Sequence, residues 1–151
     1  MTDDIEATHI SLDLEDGYRF MVDLGDAFER LAVDEPPPLG AGGGPNASAL
    51  LVAAVANCLS ASLLYCLRRA HVDVTAMHCE AKASPTRNAE GRLRIGSMRV
   101  VLQPVISPGT EGRVERCLEL FENFCVVTES VRAGIGVSVE VDAASKRRTV
   151  E

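Results

Sequence analysis

The feature that most constrains this chain is a run without a single charge, from Ala47 to Leu67, closed by Arg68 and Arg69. A run of that length is either a membrane span or the central helix of a folded core. Alanine and serine are prominent in it, and Asn57, Ser60 and Ser62 interrupt it, whereas spans are richer in Leu, Ile and Phe. We read it as a helix buried on nearly all sides. Asn46 offers its N-cap, and the two arginines suit the negative end of the helix dipole, so the helix is expected from Asn46 to about Ala70. Leu51, Val55, Cys58, Ser62 and Tyr65 recur at alternating spacings of four and three, which places them on one face. Leu50, Ala54, Leu59 and Leu63 cover the adjoining faces.

The rest of the chain reads as an α+β fold around that helix. Ile10, Leu12 and Leu14 alternate with His9, Ser11 and Asp13, and Phe20, Val22 and Leu24 alternate with Met21 and Asp23. Asp16-Gly17 and Gly25-Asp26 mark turns, and Phe28, Leu31 and Val33 suggest a third strand, completing an antiparallel meander. A Pro- and Gly-rich loop over 34–45 then delivers the chain into the helix. Its glycines complete neither a dinucleotide fingerprint nor a phosphate loop. After the helix, strands are expected from Val72 to Ala83 and from Leu93 to Val105, joined by a polar turn from Pro85 to Gly91. A helix from Glu111 to Phe124 follows, with Val114, Cys117, Leu118 and Phe121 on its apolar stripe. A short helix from Val126 to Ala133 closes on Gly134. Val137, Val139 and Val141 alternate with polar residues in an expected last strand. One domain over 1–151 accommodates all of this, since 151 residues can bury a sizeable core.

Composition excludes several functions. The net charge is −7, so the surface repels phosphate backbones and nucleic acid is a poor partner. Aromatic residues make up 4% and tryptophan is absent, which argues against base-stacking platforms. His9, His71 and His78 are too scattered for a metal site. His78 and Cys79 are neighbours in a strand and point to opposite faces. No metal, no cofactor and no membrane association are expected. The N-terminus is acidic and carries no secretory pattern, so a reducing, cytoplasmic compartment is expected.

Chemistry concentrates in the five cysteines, Cys58, Cys66, Cys79, Cys117 and Cys125. None forms a Cys-x-x-Cys pair, which disfavours structural zinc. Cys66, Cys79 and Cys117 read as core residues. Cys125 stands just before a short helix, whose backbone N–H groups can stabilise a thiolate; local mechanics leave it open between that role and packing beneath the turn. Cys58 lies in mid-helix and has only neutral neighbours. By itself it reads as inert unless another element brings a cation or hydrogen-bond donors.

The stretch Gly44-Pro45-Asn46-Ala47-Ser48-Ala49-Leu50, seven further residues, and then Cys58 resembles the helix-entry motif of the OsmC/Ohr family, G-x-N-P-x-x-L followed by C. Phe124-Cys125-Val126-Val127-Thr128, with Ser130 to Ile135 after it, is similar to that family's second cysteine motif. The order of elements agrees too, so the resemblance covers nearly the whole chain. It implies an OsmC-like fold and an intertwined homodimer with its active sites at the subunit interface. It also implies a cysteine-based peroxidase of oxidative-stress defence, in which Cys58 attacks an organic hydroperoxide and Cys125 resolves the sulfenic acid as a disulfide. An external dithiol would restore the thiols. Apolar Leu51, Val55 and Leu59 would favour alkyl or fatty-acyl peroxides.

One departure stands out. The family's peroxidases carry a glutamate after the motif proline, which works with an arginine of the meander to activate the thiol. Here those positions hold Ala47 and Ser48. Arg19 and Arg30 are the arginines of the meander, and Glu35 is a carboxylate that could substitute. The departure keeps a second reading open: a small-molecule-binding or redox-sensing dimer whose cysteines are structural or regulatory.

Overall fold

The computed structural model describes residues 6–142. Three strands open it: β1 (Ser11–Asp16), β2 (Arg19–Asp23) and β3 (Leu31–Val33). They form an antiparallel meander in which Leu12 faces Val22 and Phe20 faces Val33. Phe28 stays outside, in an exposed turn.

The loop after β3 is organised by one carboxylate. Asp34 is buried and accepts hydrogen bonds from the backbone N–H groups of Glu35 (2.8 Å), Ala41 (3.3 Å) and Gly43 (2.9 Å). The Gly43 bond comes first among the influences that hold its carboxyl below the usual range against the opposing effect of burial, and the Arg19 guanidinium adds to it. Gly44 is required sterically, because a Cβ there would collide with the backbone carbonyl of Ala32. The loop therefore hands the chain to the next helix in one fixed direction.

That helix, α1 (Ala47–Arg69), begins as the sequence suggests: the Asn46 side chain accepts the Ala49 N–H at 2.9 Å. It ends with His71 in the left-handed region (φ 55°) while Val72 N–H donates to Leu67 C=O at 2.9 Å. Val55, Leu59, Leu63 and Leu67 are its buried stripe, spaced one turn apart. The buried surface is this one stripe and not the whole circumference. Ala53, Ala54, Asn57, Ala61 and Tyr65 are exposed on the protomer.

A long hairpin follows, β4 (Val74–Arg87) and β5 (Leu93–Ile106), paired antiparallel along its length. Met77, Cys79, Ala81 and Ala83 lie half-buried while His78, Glu80 and Lys82 face water. β4 runs past Pro85, where a turn was expected. The register shifts between Ser84 and Pro85, and such an irregularity accommodates a residue with no N–H to give. The turn is confined to Asn88–Gly91, where the Asn88 side chain accepts the N–H groups of Glu90 and Arg92.

The expected single helix after β5 is two pieces. α2 (Glu111–Leu120) passes into a 3-10 turn (Phe121–Phe124), and Cys125 then opens α3 (Val126–Ala133), which closes on Gly134 at φ 78°. The core joins α1 to this segment: Val55, Leu59, Leu63, Leu67, Val72, Cys117, Phe121 and Cys125 form one cluster, with Met98, Val100 and Leu102 packed against it from β5. The expected last strand is not formed in the described residues. Val137, Val139 and Val141 are each 83% exposed and pair with nothing among the described residues, since alternation makes a strand only where an edge receives it.

Leu67 is fully buried at the centre of this cluster. Leu67→Ala is expected to destabilise the protein by about 3 kcal/mol, within the range for a large-to-small change that cannot collapse. Urea unfolding of parent and variant measures the difference, and Leu118→Ala, at an exposed site, serves as the mild comparison.

Candidate functional site

The antiparallel packing of α1 against the α2–α3 segment brings Cys58 and Cys125 together. Both are free thiols, and each side chain acts on the ionisation of the other. Cys125 is 0% exposed, whereas Cys58 is half-buried. The Cys125 sulfur lies 2.9 Å from the Thr128 hydroxyl, three residues ahead in the first turn of α3. Ser62, one turn beyond Cys58 on α1, supplies a second hydroxyl to Cys125.

Burial acts on both thiols, yet they move in opposite directions. Burial, reinforced by the hydrogen bond to Cys125, pushes the Cys58 thiol up, against the backbone N–H groups of Val127 and Thr128. Burial also opposes ionisation of Cys125. There, hydrogen bonds from Cys58, the Thr128 hydroxyl, the Thr128 N–H and Ser62 outweigh it and hold the thiol below its ordinary value. Negative charge in the pair therefore belongs on Cys125, with Cys58 donating its S–H. The start of α3 favours that arrangement, since its unpaired N–H groups face the sulfurs.

Beside the pair is a cavity of ≈ 420 Å³ between α1, β5 and α3. Val55, Leu59, Met98, Val100 and Val131 give it apolar walls, and Thr128 lines it from the cysteine side. Glu122 and Arg132 sit in its lining, joined by an ion pair of 2.6 Å, and Arg132 also pairs with Glu129.

The family model of OsmC-like proteins matches residues 40–140, which include both thiols and every element from α1 to α3. This chain belongs to the OsmC-like family. Solved structures of similar fold include an OsmC-like protein of unknown function from Vibrio cholerae, with a TM-score of 0.73 at 14% identity, covering 83% of this chain and 94% of that one. An OsmC-like protein from Mycoplasma pneumoniae gives 0.71 at 14% identity, covering 85% and 89%. An organic hydroperoxide resistance protein from Legionella pneumophila gives 0.63 at 18% identity, covering 85% and 90%. At these identities the likeness speaks for the fold. No curated protein sequence matches the chain.

In this OsmC-like chain the two cysteines singled out from the sequence meet, and the groups considered as activators do not dominate their surroundings. Ser48 is exposed in the first turn of α1, ten residues before Cys58 and so about 15 Å along the helix. Arg19 pairs with Glu15 at 2.7 Å and Arg30 with Asp23 at 3.6 Å. Glu35 lines a separate cavity between the meander and the start of α1. The leading influences on both sulfurs are burial, each other, hydroxyls and backbone N–H groups. Donors from another element were the condition for waking Cys58, and α3 provides them. Thr128 and Ser62 escaped attention as site residues. Their signals were present in the offset of three from an N-cap position and of four along a helix face.

Cys66 and Cys117, expected as separate core thiols, are joined in a disulfide with Cα atoms 5.6 Å apart. Cys79 is free and half-buried in β4 opposite Leu102, as a packing residue would be. Among the described residues no three His, Cys, Asp or Glu side chains gather where a metal ion could sit.

Thr128→Val removes a hydroxyl donor from Cys125. The first thiol ionisation, followed by ultraviolet thiolate absorbance, is expected to move to higher pH, because a hydroxyl hydrogen bond to the charged sulfur is stronger than the one the neutral thiol makes to the same oxygen, so the charged form loses more. A titration curve identical to the parent's would remove Thr128 from the site.

Proposed function

We propose that this protein is a thiol peroxidase that reduces organic hydroperoxides, with Cys58 the attacking sulfur and Cys125 the resolving one. The observation that carries the reading is two free sulfurs that act on each other's ionisation, one half-buried and one sealed, with Thr128 linking them to a cavity that has apolar walls and a Glu122–Arg132 ion pair. Accessibility divides the roles, since Cys58 is the sulfur a peroxide can approach and Cys125 is sealed. Acidity divides them the other way, and the shared hydrogen bond reconciles the two. As a hydroperoxide arrives, Cys58 passes its proton to the Cys125 thiolate. The Cys58 thiolate attacks the terminal peroxide oxygen, the O–O bond breaks, and the alkoxide leaves with the proton from Cys125. The Cys125 thiolate then attacks the Cys58 sulfenic acid and expels hydroxide, forming the disulfide. An external dithiol returns the pair to its starting state by exchange.

Stopped-flow mixing of the reduced protein with cumene hydroperoxide tests this. Cys58→Ser is expected to lose fast peroxide consumption. Cys125→Ser is expected to retain a slower single turnover that ends in a sulfenic acid trappable by dimedone. Parent-like consumption by Cys58→Ser would refute the assignment.

A second reading has its own support: the upward push on Cys58 fits a binding or sensing module whose thiols do not turn over. On that reading the parent consumes no peroxide at a useful rate, while apolar ligands occupy the cavity beside Thr128.

The working state on either reading is a homodimer. The exposed small residues of α1 (Ala53, Ala54, Asn57, Ala61) allow a close helix-to-helix approach, and the exposed valines at 137, 139 and 141 have no strand partner among the described residues. Light scattering is expected to give twice the 16.1 kDa protomer mass; a concentration-independent monomer would contradict it.

A further inference from the structure

The structure carries a second cysteine pair on the seam that forms the site, and its placement suggests a use. Cys66 lies eight residues after Cys58 on α1, and Cys117 lies eight residues before Cys125. The two pairs are thus successive rungs between the same two elements, about 12 Å apart along the helix. That separation prevents direct exchange between them, so the second pair is not an electron relay for the first.

Its connection to the site is mechanical. Cys117 is the one buried residue of α2. Leu118 and Leu120 are exposed, and the next buried side chain in the segment is Phe121, in the 3-10 turn. With the disulfide closed, α2 is fastened to α1 covalently. With it open, the segment leading to Cys125 is held at this end by a small thiol, the half-buried Val114 and one phenyl ring. The fully buried state of Cys125 then depends on a shorter stretch of apolar packing.

We propose that Cys66 and Cys117 form a second redox couple, a clamp whose closure docks α2 and thereby positions Cys125 against Cys58. The oxidant is a low-molecular-weight disulfide. Cys117 is 2% exposed and Cys66 is half-buried, so exchange starts at Cys66. The Cys66 thiolate attacks the small disulfide, whose S–S bond breaks and releases one thiolate. The Cys117 thiolate then attacks the Cys66 sulfur of the mixed disulfide and releases the second. Two cysteine thiols are oxidised, one small disulfide is reduced, and the two cysteine protons leave on the two small thiols. The proposal rests on the geometry of the thiol site and not on its reaction with peroxides.

The test uses full-length Cys58→Ser protein, in which Cys125 cannot be hidden in a disulfide with residue 58. Samples equilibrated with hydroxyethyl disulfide or with dithiothreitol are desalted, pulsed with iodoacetamide and mapped by peptide mass spectrometry. The disulfide-treated sample is expected to contain the linked Cys66 and Cys117 peptides. Its Cys125 is expected to be alkylated about tenfold more slowly than in the reduced sample, because opening of the docked segment limits access. Adding Cys66→Ser and Cys117→Ser together is expected to fix the rate at the faster value in both conditions. Hydrogen exchange over 111–133 in the wild-type chain gives a readout free of substitutions, with faster exchange expected when the 66–117 bond is reduced while 58–125 stays reduced in both samples. Equal Cys125 rates in the two redox states, equal exchange, or no 66–117 bond after disulfide treatment would each overturn the clamp. Failure of peroxide turnover in the wild type would leave these outcomes unchanged, so the two proposals fail separately.

Discussion

The apolar seam between α1 and the segment from α2 to α3 is what the rest of the structure depends on. Leu63 and Leu67, 1% and 0% exposed, lock the middle of that seam, and Cys117, Phe121 and Cys125 pack from the other side. Burial of such side chains contributes roughly 2 kcal/mol each, and the packing is directional because the stripe repeats every turn. Once the seam is set, the start of α3 has only one place to go. Two thiols separated by 67 residues of chain are then close enough to act on each other's ionisation. Neither the β-hairpin behind α1 nor the meander before it touches the pair's leading interactions. Those elements shape a cavity and a surface.

Around the sulfurs, neutral dipoles supply what a charged group would otherwise supply. Backbone N–H groups of Val127 and Thr128, the Thr128 hydroxyl and the Ser62 hydroxyl surround a pair that burial would keep protonated. Hydrogen bonds to an ionised sulfur are worth more than neutral ones, so a few such donors can outweigh desolvation for one thiol. They do so for Cys125 and not for Cys58.

Local elements were legible in the sequence wherever one residue did one local job. Asn46 capped the long helix, Gly134 ended the short one, and alternation around Phe20 and along β4 and β5 marked strands. Features that depend on partners were less legible. Pro85 read as a turn because a proline in a strand needs an irregularity, and irregularities leave little trace in composition. The valines at 137, 139 and 141 read as a strand because alternation reports a preference, while pairing requires an edge to be brought alongside, and among the described residues none is. The meeting of Cys58 with Cys125 came from the family resemblance, not from their spacing. Cys66 and Cys117 were invisible as a pair, since each alone looks like a small core residue and only the antiparallel fit of two helices joins them.

The first residue at the mouth of α3 is itself one of the two paired sulfurs, and this ties the ionisation of the pair to helix stability. An ionised Cys125 places negative charge against the electropositive end of the helix, where such charge is favourable. Joining that sulfur to another neutralises it and withdraws the favourable term. Oxidation of the pair would exchange a charge that favours the helix end for a covalent tie from α3 to α1, so the two states of the sulfurs hold the helix by different forces.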